Sequence, residues 1–124
     1  MLKLENVKIA VIGLGYVGLP LAVEFSKKFP TIGFDINQKR ISDLKSGVDV
    51  TGELSFRELS ENDNLNLSSN TEDLAKFNVF VVTVPTPVDR FKQPDLGPLL
   101  TVSSMLGDII KKNDLVIYES TVYP

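Results

Sequence analysis

Short apolar runs alternate with stretches of helical periodicity along most of this chain. The runs are rich in Val, Ile and Phe, which is typical of parallel strands that are covered on both faces. Between them, apolar residues recur at the spacing of a helix that packs one face on a sheet. The predicted strands are 7–12, 31–35, 65–67, 79–84 and 115–119, and the predicted helices are about 16–28, 38–46 and 98–112.

Alternating strands and helices predict a parallel sheet with crossover helices. The predicted fold class is α/β, a Rossmann-type doubly wound sheet in three layers (α/β/α), with five strands in the order 3-2-1-4-5. The remaining segments are less regular. Residues 48–63 and 71–74 each predict a short helix, and residues 88–97 predict a loop.

The first strand ends in three glycines spaced G-x-G-x-x-G, at Gly13, Gly15 and Gly18. Gly13 permits a tight turn, Gly15 lets a phosphate approach the backbone, and Gly18 lets the next helix pack closely on the strand. The positive end of that helix also favours an anion. This order predicts a pyrophosphate site, with glycines that serve close packing alone as the alternative. Pro20 lies past the first helical position and predicts an irregular first turn.

An acidic residue, Asp35, closes the second apolar run. A carboxylate at this place accepts hydrogen bonds from the adenosine ribose and repels a 2′-phosphate, so it favours NAD over NADP. Arg40 follows on the next predicted helix, where it is expected to lie over the adenine or to reach the ribose. The alternatives are a solvated acid at a strand end and a solvated helix arginine.

Polar residues also follow the fourth and fifth strands, at the edge where ligands bind in such a sheet. The prolines on either side of Thr86 hold it rigid, so it is expected to offer its hydroxyl and N–H to the cofactor. Thr121 is expected to point toward the nicotinamide. Simple turn residues are the alternative, and no role is assigned to Glu119. The predicted cofactor-binding residues are Gly13, Gly15, Tyr16, Val17, Gly18, Asp35, Arg40, Pro85, Thr86 and Thr121.

Composition narrows the classes of function. The 124 residues include 13 basic and 16 acidic side chains, for a formal charge of −3, and no basic stripe indicates a nucleic acid partner. The chain has no cysteine and no histidine, which excludes a cysteine nucleophile within these residues and removes the commonest general base and metal ligand. No metal site is predicted. Without a signal-like or membrane-length apolar run, we expect a cytoplasmic protein and no membrane partner.

Several blocks of the sequence resemble the UDP-glucose/GDP-mannose dehydrogenase family. They are GYVGLP at 15–20, VPTP at 84–87, QPDL at 93–96 and ESTVYP at 119–124. The order of these blocks is quite specific, and the resemblance covers almost the whole chain. It is strongest to the UDP-N-acetylglucosamine 6-dehydrogenase members of the Vi-type capsular polysaccharide kind. The resemblance implies an enzyme that uses NAD to oxidise C6 of a UDP-sugar to the uronate, for surface polysaccharide biosynthesis.

The resemblance also implies roles for individual residues. In the family, the glycine loop holds the pyrophosphate, the residue matching Asp35 holds the ribose, and the residue matching Arg40 lies by the adenosine. The residues matching Thr86 and Thr121 contact the cofactor. Thr121 would in addition lie by the catalytic water, and it is the one catalytic candidate in this chain.

Family members are several hundred residues long, and their catalytic cysteine lies well beyond this stretch. We therefore expect residues 1–124 to be an incomplete NAD-binding domain that lacks a sixth strand, a central helix and the sugar-binding domain. Such a fragment is expected to be inactive alone and to self-associate through the edge at 115–119, whereas the full-length protein is expected to be a homodimer. The alternatives are a non-catalytic NAD(H)-sensing Rossmann module, a 3-hydroxyacid-type dehydrogenase or a methyltransferase.

Overall fold

The structure, a computed structural model, describes residues 3–47, 64–84 and 97–119. The short helix predicted within 48–63 lies outside these ranges. The predicted α/β class and the strand order 3-2-1-4-5 are confirmed, because the five parallel strands are ordered β3-β2-β1-β4-β5. The strands are β1 (Ile9–Ile12), β2 (Thr31–Phe34), β3 (Leu65–Ser68), β4 (Val79–Val82) and β5 (Leu115–Tyr118). The helices are α1 (Gly18–Ser26), α2 (Gln38–Lys45) and α3 (Gly97–Gly107), with 3-10 helices at Leu4–Asn6 and Thr71–Lys76.

The carboxyl ends of the strands lie level along one edge of the sheet. Ile12 at the end of β1 is paired with Phe34 of β2 and with Val82 of β4. The register continues outward to Ser68 of β3 and to Tyr118 of β5. The residues that come directly after the strands therefore lie side by side along this edge.

Two apolar layers hold the helices on the sheet. Successive strand residues point to opposite faces, so β1 and β4 each contribute to both layers, whereas the apolar residues of β2 belong to one. One layer includes α3 and the Thr71–Lys76 helix, and the other includes α1 and α2. The helical members are Leu74, Val102 and Leu106 on the first face, and Leu19, Ala22, Ile41 and Leu44 on the second.

Helix α1 begins at Gly18, two residues later than predicted. Pro20, at which the sequence predicted an irregular turn, lies in the first turn of this shorter helix. The Leu19 amide donates to the Gly15 carbonyl at 3.3 Å, whereas Pro20 has no amide hydrogen to continue the series. The Leu21 amide donates to the Val17 carbonyl at 3.2 Å, so the irregularity at Pro20 amounts to one missing hydrogen bond.

The sequence around α2 predicts an N-cap at Asn37 and a helix-ending glycine at Gly47, and the structure has both. At its start, the Asn37 side chain accepts a hydrogen bond from the Arg40 amide at 3.1 Å, as an N-cap residue does. At its end, Gly47 has a φ of +84°, the left-handed conformation that glycine adopts after a helix. These ends fix the position of α2 beside the carboxyl edge of β2.

Helix α3 differs from its prediction at both ends. It includes Gly97, which the sequence placed in a loop, and it ends at Gly107 instead of 112. Lys111 lies beyond the helix, and its ammonium donates to the carbonyls of Ala75 and Phe77 at 3.0 and 3.2 Å. Lys111 thus ties the end of the α3 segment to the residues before β4. Within the described ranges, no helix has the length and apolar character needed to cross a membrane.

Candidate functional site

A cleft of about 630 Å³ opens at the carboxyl edge of the sheet. It lies at the switch point between β1 and β4, where doubly wound sheets bind ligands, and its size is that of a small-molecule site. Its walls are the glycine turn after β1, the residues after β2 and β4, and the first turns of α3. The lining includes Leu14, Gly15, Asp35, Ile36, Arg40 and Thr101.

A second depression, of about 700 Å³, lies at the opposite end of the strands. The first 3-10 helix and the residues between α1 and β2 form its walls, among them Lys3, Lys28 and Phe29. It contains neither the glycine turn nor any residue that follows a strand. Although it is slightly larger, it lies at the edge away from the ligand crevice of this fold. We therefore place the functional site in the cleft at the carboxyl edge.

The three glycines of the turn meet different steric conditions. Gly13 has a φ of +99°, which side-chain-bearing residues rarely adopt. A Cβ on Gly18 would collide with the Gly13 carbonyl and with the Thr83 hydroxyl. A Cβ on Gly15, in contrast, would meet no atom within 4 Å. The first and third glycines are thus required by the protein itself, whereas the space beside Gly15 is open to a ligand.

The peptide group that joins residues 13 and 14 is held at both of its polar atoms. The Thr83 hydroxyl donates to the Gly13 carbonyl at 2.6 Å. On the other side of the same peptide, the Leu14 amide donates to Asp35 Oδ2 at 3.0 Å. The Gly13 amide donates to the Phe34 carbonyl at 2.8 Å. The turn is therefore fixed to β2 and β4 before any ligand binds.

The next three backbone amides, of residues 15–17, do not take part in holding the turn. Among the residues that the structure describes, the amides of Gly15, Tyr16 and Val17 have no hydrogen-bond acceptor. Tyr16 is 69% exposed and Val17 46%. Unpaired N–H groups before a helix, together with the positive end of its dipole, attract an anion. The open space beside Gly15 in the cleft and the three unpaired amides are thus suited to an anion.

The Asp35 carboxylate has two partners and capacity for more. Oδ2 accepts from the Leu14 amide, and Oδ1 accepts from the Asn37 amide at 2.9 Å. An ionised carboxylate has about four lone-pair sites. Both oxygens can therefore still accept hydrogen bonds from a pair of ribose hydroxyls, as predicted for this position. The next residue, Ile36, is 64% exposed and also lines the cleft.

The structure brings seven of the predicted residues to one edge: Gly13, Gly15, Tyr16, Val17, Gly18, Asp35 and Arg40. Pro85, Thr86 and Thr121 lie outside the described residues. Several residues of the cleft were not predicted as site residues, among them Thr83 and Ile36. Thr83 was the lone polar residue at the end of an apolar run, and Ile36 was an apolar residue outside any predicted strand.

Replacing Thr83 with valine tests the anchor of the glycine turn. The Thr83 hydroxyl also approaches the Ile12 carbonyl at 3.1 Å, and the residue is 8% exposed. Valine keeps the shape but leaves the buried Gly13 carbonyl without this donor, so the free energy of unfolding should fall by about 1–3 kcal/mol. Chemical denaturation measures the change. An unchanged midpoint would show that the hydroxyl does not anchor the turn, and Thr101→Val, at an exposed threonine, is the matched control.

Comparisons with known proteins agree with this geometry. The sequence model described as UDP-glucose/GDP-mannose dehydrogenase family, NAD binding domain, matches residues 7–124. A UDP-N-acetyl-D-glucosamine 6-dehydrogenase of Pseudomonas aeruginosa is 58% identical over 98% of this chain, and one of Salmonella typhi is 52% identical over 100% of it. The chain spans 29% of the length of each of these relatives.

Solved structures support the same assignment. A UDP-D-ManNAc dehydrogenase from Pyrococcus horikoshii superimposes with a TM-score of 0.88 at 36% identity, covering 94% of this chain and 29% of that one. The match to this family spans the glycine turn, the acid after β2 and all five strands. The chain belongs to the UDP-glucose/GDP-mannose dehydrogenase family, and residues 7–124 correspond to its NAD-binding domain.

Proposed function

We propose that this chain is the NAD-binding part of an enzyme that oxidises C6 of a UDP-sugar to the uronate for surface polysaccharide biosynthesis. One observation carries the proposal. The unpaired amides of Gly15, Tyr16 and Val17 lie beside an open space and a carboxylate that can accept further hydrogen bonds. That arrangement suits a pyrophosphate and a ribose that are joined in one molecule.

Different residues of the cleft would bind different parts of the cofactor. The amides at 15–17 would bind the pyrophosphate, and Asp35 would bind the adenosine ribose. The exposed side chain of Ile36 would lie against the adenine. Pro85, Thr86 and Thr121 are proposed to lie on the nicotinamide side, because the motifs that contain them follow β4 and β5. NAD, when bound, supplies the acceptor for the hydride that leaves C6.

The identity of the sugar is proposed from the relatives. Two of them are UDP-N-acetyl-D-glucosamine 6-dehydrogenases, with 58% and 52% identity to this chain. A UDP-N-acetylhexosamine is therefore the proposed substrate class of the whole enzyme. This chain contains no cysteine, so the catalytic nucleophile of such an enzyme would lie outside it, and we propose no turnover by residues 1–124 alone. A cytoplasmic location stays a prediction.

Replacing Gly15 with alanine tests the proposed pyrophosphate site. The added methyl group would enter the space that the phosphate is proposed to occupy, so NAD should bind at least about tenfold more weakly. The fold should be unaffected, since no atom lies within 4 Å. Isothermal titration calorimetry with NAD measures the affinity, and thermal unfolding checks the fold.

Gly107→Ala is the matched control for Gly15→Ala. Its Cβ also meets no atom within 4 Å, but it lies at the end of α3, away from the cleft. It should bind NAD as tightly as the unmodified chain does. Equal affinity in the Gly15 and Gly107 variants would reject the pyrophosphate site, and failure of the unmodified chain to bind NAD would reject the proposed function.

We also propose that the chain self-associates at β5, and that the full-length enzyme is a homodimer. Within the described residues, β5 is hydrogen-bonded to β4 only. Leu115 and Ile117 are 48% and 37% exposed on the same strand. An exposed apolar edge is a template for pairing with a second copy. The proposed partner is therefore a second copy of this chain.

Ile117→Lys tests this association. Sedimentation velocity at increasing concentration should show dimers of the unmodified chain and only monomers of the lysine variant, since a charge on an edge strand opposes pairing. Ile110→Lys, at a residue that is 45% exposed outside the strand, should still dimerise. A monomeric unmodified chain at high concentration would contradict the proposal.

A further inference from the structure

Arg40 makes hydrogen bonds to the glycine turn that its predicted place beside the adenosine does not explain. The side chain is 8% exposed, and α2 carries it toward the glycine turn. Its Nε and Nη2 atoms both donate to the Leu14 carbonyl, at 2.8 and 2.6 Å. Two charge-assisted hydrogen bonds on one carbonyl hold that oxygen more firmly than a single neutral donor would.

The Leu14 carbonyl is part of the peptide group that carries the Gly15 amide. A peptide group is planar and trans, so its C=O and N–H point in opposite directions. By fixing the direction of the Leu14 oxygen, Arg40 therefore also fixes the direction of the Gly15 N–H. That N–H is one of the three amides that have no acceptor among the described residues.

The preceding peptide group shows the same pattern with both of its partners present. Thr83 donates to the Gly13 oxygen, and Asp35 accepts from the Leu14 amide. In the next group, Arg40 donates to the Leu14 oxygen, while the Gly15 amide has no acceptor among the described residues and the space beside Gly15 is open. The acceptor that would complete this second group is an anionic oxygen of a ligand.

We infer that Arg40 is a positioning residue for the pyrophosphate, which it orients through the Leu14–Gly15 peptide group. The inference rests on the proposed function and assigns Arg40 a role at a different part of the cofactor. If Arg40 contacted adenosine directly, replacing it would weaken the binding of every ligand that contains adenosine. If Arg40 positions the peptide group, replacing it weakens only the binding of ligands that carry phosphate, because only those use the Gly15 amide.

Three ligands separate the two roles: NAD, ADP and adenosine, each titrated into the chain and followed by calorimetry or by amide chemical shifts. In Arg40→Met, which keeps most of the side chain but no donor, NAD and ADP should bind about tenfold more weakly because the amide is no longer pre-oriented. Adenosine should bind within about twofold of its original affinity. Arg40→Lys, with one charged donor, should recover part of the loss.

The matched control is Lys39→Met, which removes a positive charge from the neighbouring position of α2. Lys39 is 82% exposed and pairs with Asp43, so all three affinities should stay unchanged. An equal loss of NAD, ADP and adenosine affinity in Arg40→Met would overturn the inference. So would no loss of NAD affinity in either Arg40 variant.

A measurement without ligand keeps the inference separate from the proposed function. The ¹⁵N order parameter of the Gly15 amide should be lower in Arg40→Met than in the unmodified chain and in Lys39→Met, since its peptide group is free to rotate. An unchanged order parameter would overturn the positioning role even if NAD binds. If the unmodified chain does not bind NAD, the proposed function is rejected. The claim that Arg40 orients an amide for the pyrophosphate is then rejected as well.

Discussion

Gly18→Ala is expected to lower the free energy of unfolding by about 3 kcal/mol or more. The new Cβ would collide with the Gly13 carbonyl and the Thr83 hydroxyl. The carbonyl belongs to a turn that is anchored to β2 and β4, so it cannot move aside without loss of the hydrogen bonds that hold the turn. For a domain of this size, the loss corresponds to a fall of roughly 10 °C in Tm.

Gly15→Ala is the matched control, because it adds the same methyl group three residues earlier, where no atom lies within 4 Å. Thermal and chemical unfolding should therefore separate the two variants, with Gly15→Ala close to the unmodified chain. If Gly18→Ala were as stable as Gly15→Ala, the close approach of α1 to the turn would not be a feature of the protein in solution.

Asp35→Asn is expected to weaken NAD binding roughly 100-fold, since each hydrogen bond to a charged group contributes about 1.5–3 kcal/mol. Asparagine offers one acceptor oxygen and one NH₂ group, whereas the aspartate accepts from the amides of Leu14 and Asn37 with its two oxygens. One of these amides must lose its acceptor, and the ribose hydroxyls lose the charge. The same change removes the repulsion of a 2′-phosphate.

Calorimetry with NAD and with NADP measures both consequences. The preference for NAD over NADP should shrink in Asp35→Asn, because NAD loses contacts while NADP is relieved of repulsion. Asp43→Asn removes a negative charge from α2, where Asp43 pairs with Lys39 at 2.9 Å, and should leave both affinities unchanged. Equal NAD affinities in the Asp35 and Asp43 variants would contradict the assigned role of Asp35.

The parts of the fold that depend on local pattern could be predicted from the sequence. The apolar runs and the glycine spacing predicted the sheet order, the turn and the position of Asp35. The cap of α2 followed from Asn37 and Gly47, whose preferences are local. The ends of α3 did not: Gly97 lies in the helix although glycine is a poor helix former, and the helix ends at Gly107 although apolar residues at helical spacing continue beyond it.

The contacts inside the site were beyond sequence reasoning, because they join distant positions. Thr83 meets Gly13 across 70 positions, and Arg40 meets Leu14 across 26. No periodicity predicts that a hydroxyl after β4 anchors the turn after β1. The sequence placed Arg40 near the cleft correctly, but only the structure showed that its guanidinium points at a carbonyl of the glycine turn.

The most direct test of the account is a titration of the ¹⁵N-labelled chain with NAD, followed by amide chemical shifts. The account predicts saturable changes that are largest at the amides of Gly15, Tyr16 and Val17, with smaller ones at Asp35 and Ile36. Shifts that do not saturate would contradict it. So would shifts that cluster around Lys3 and Lys28, in the depression at the opposite end of the strands.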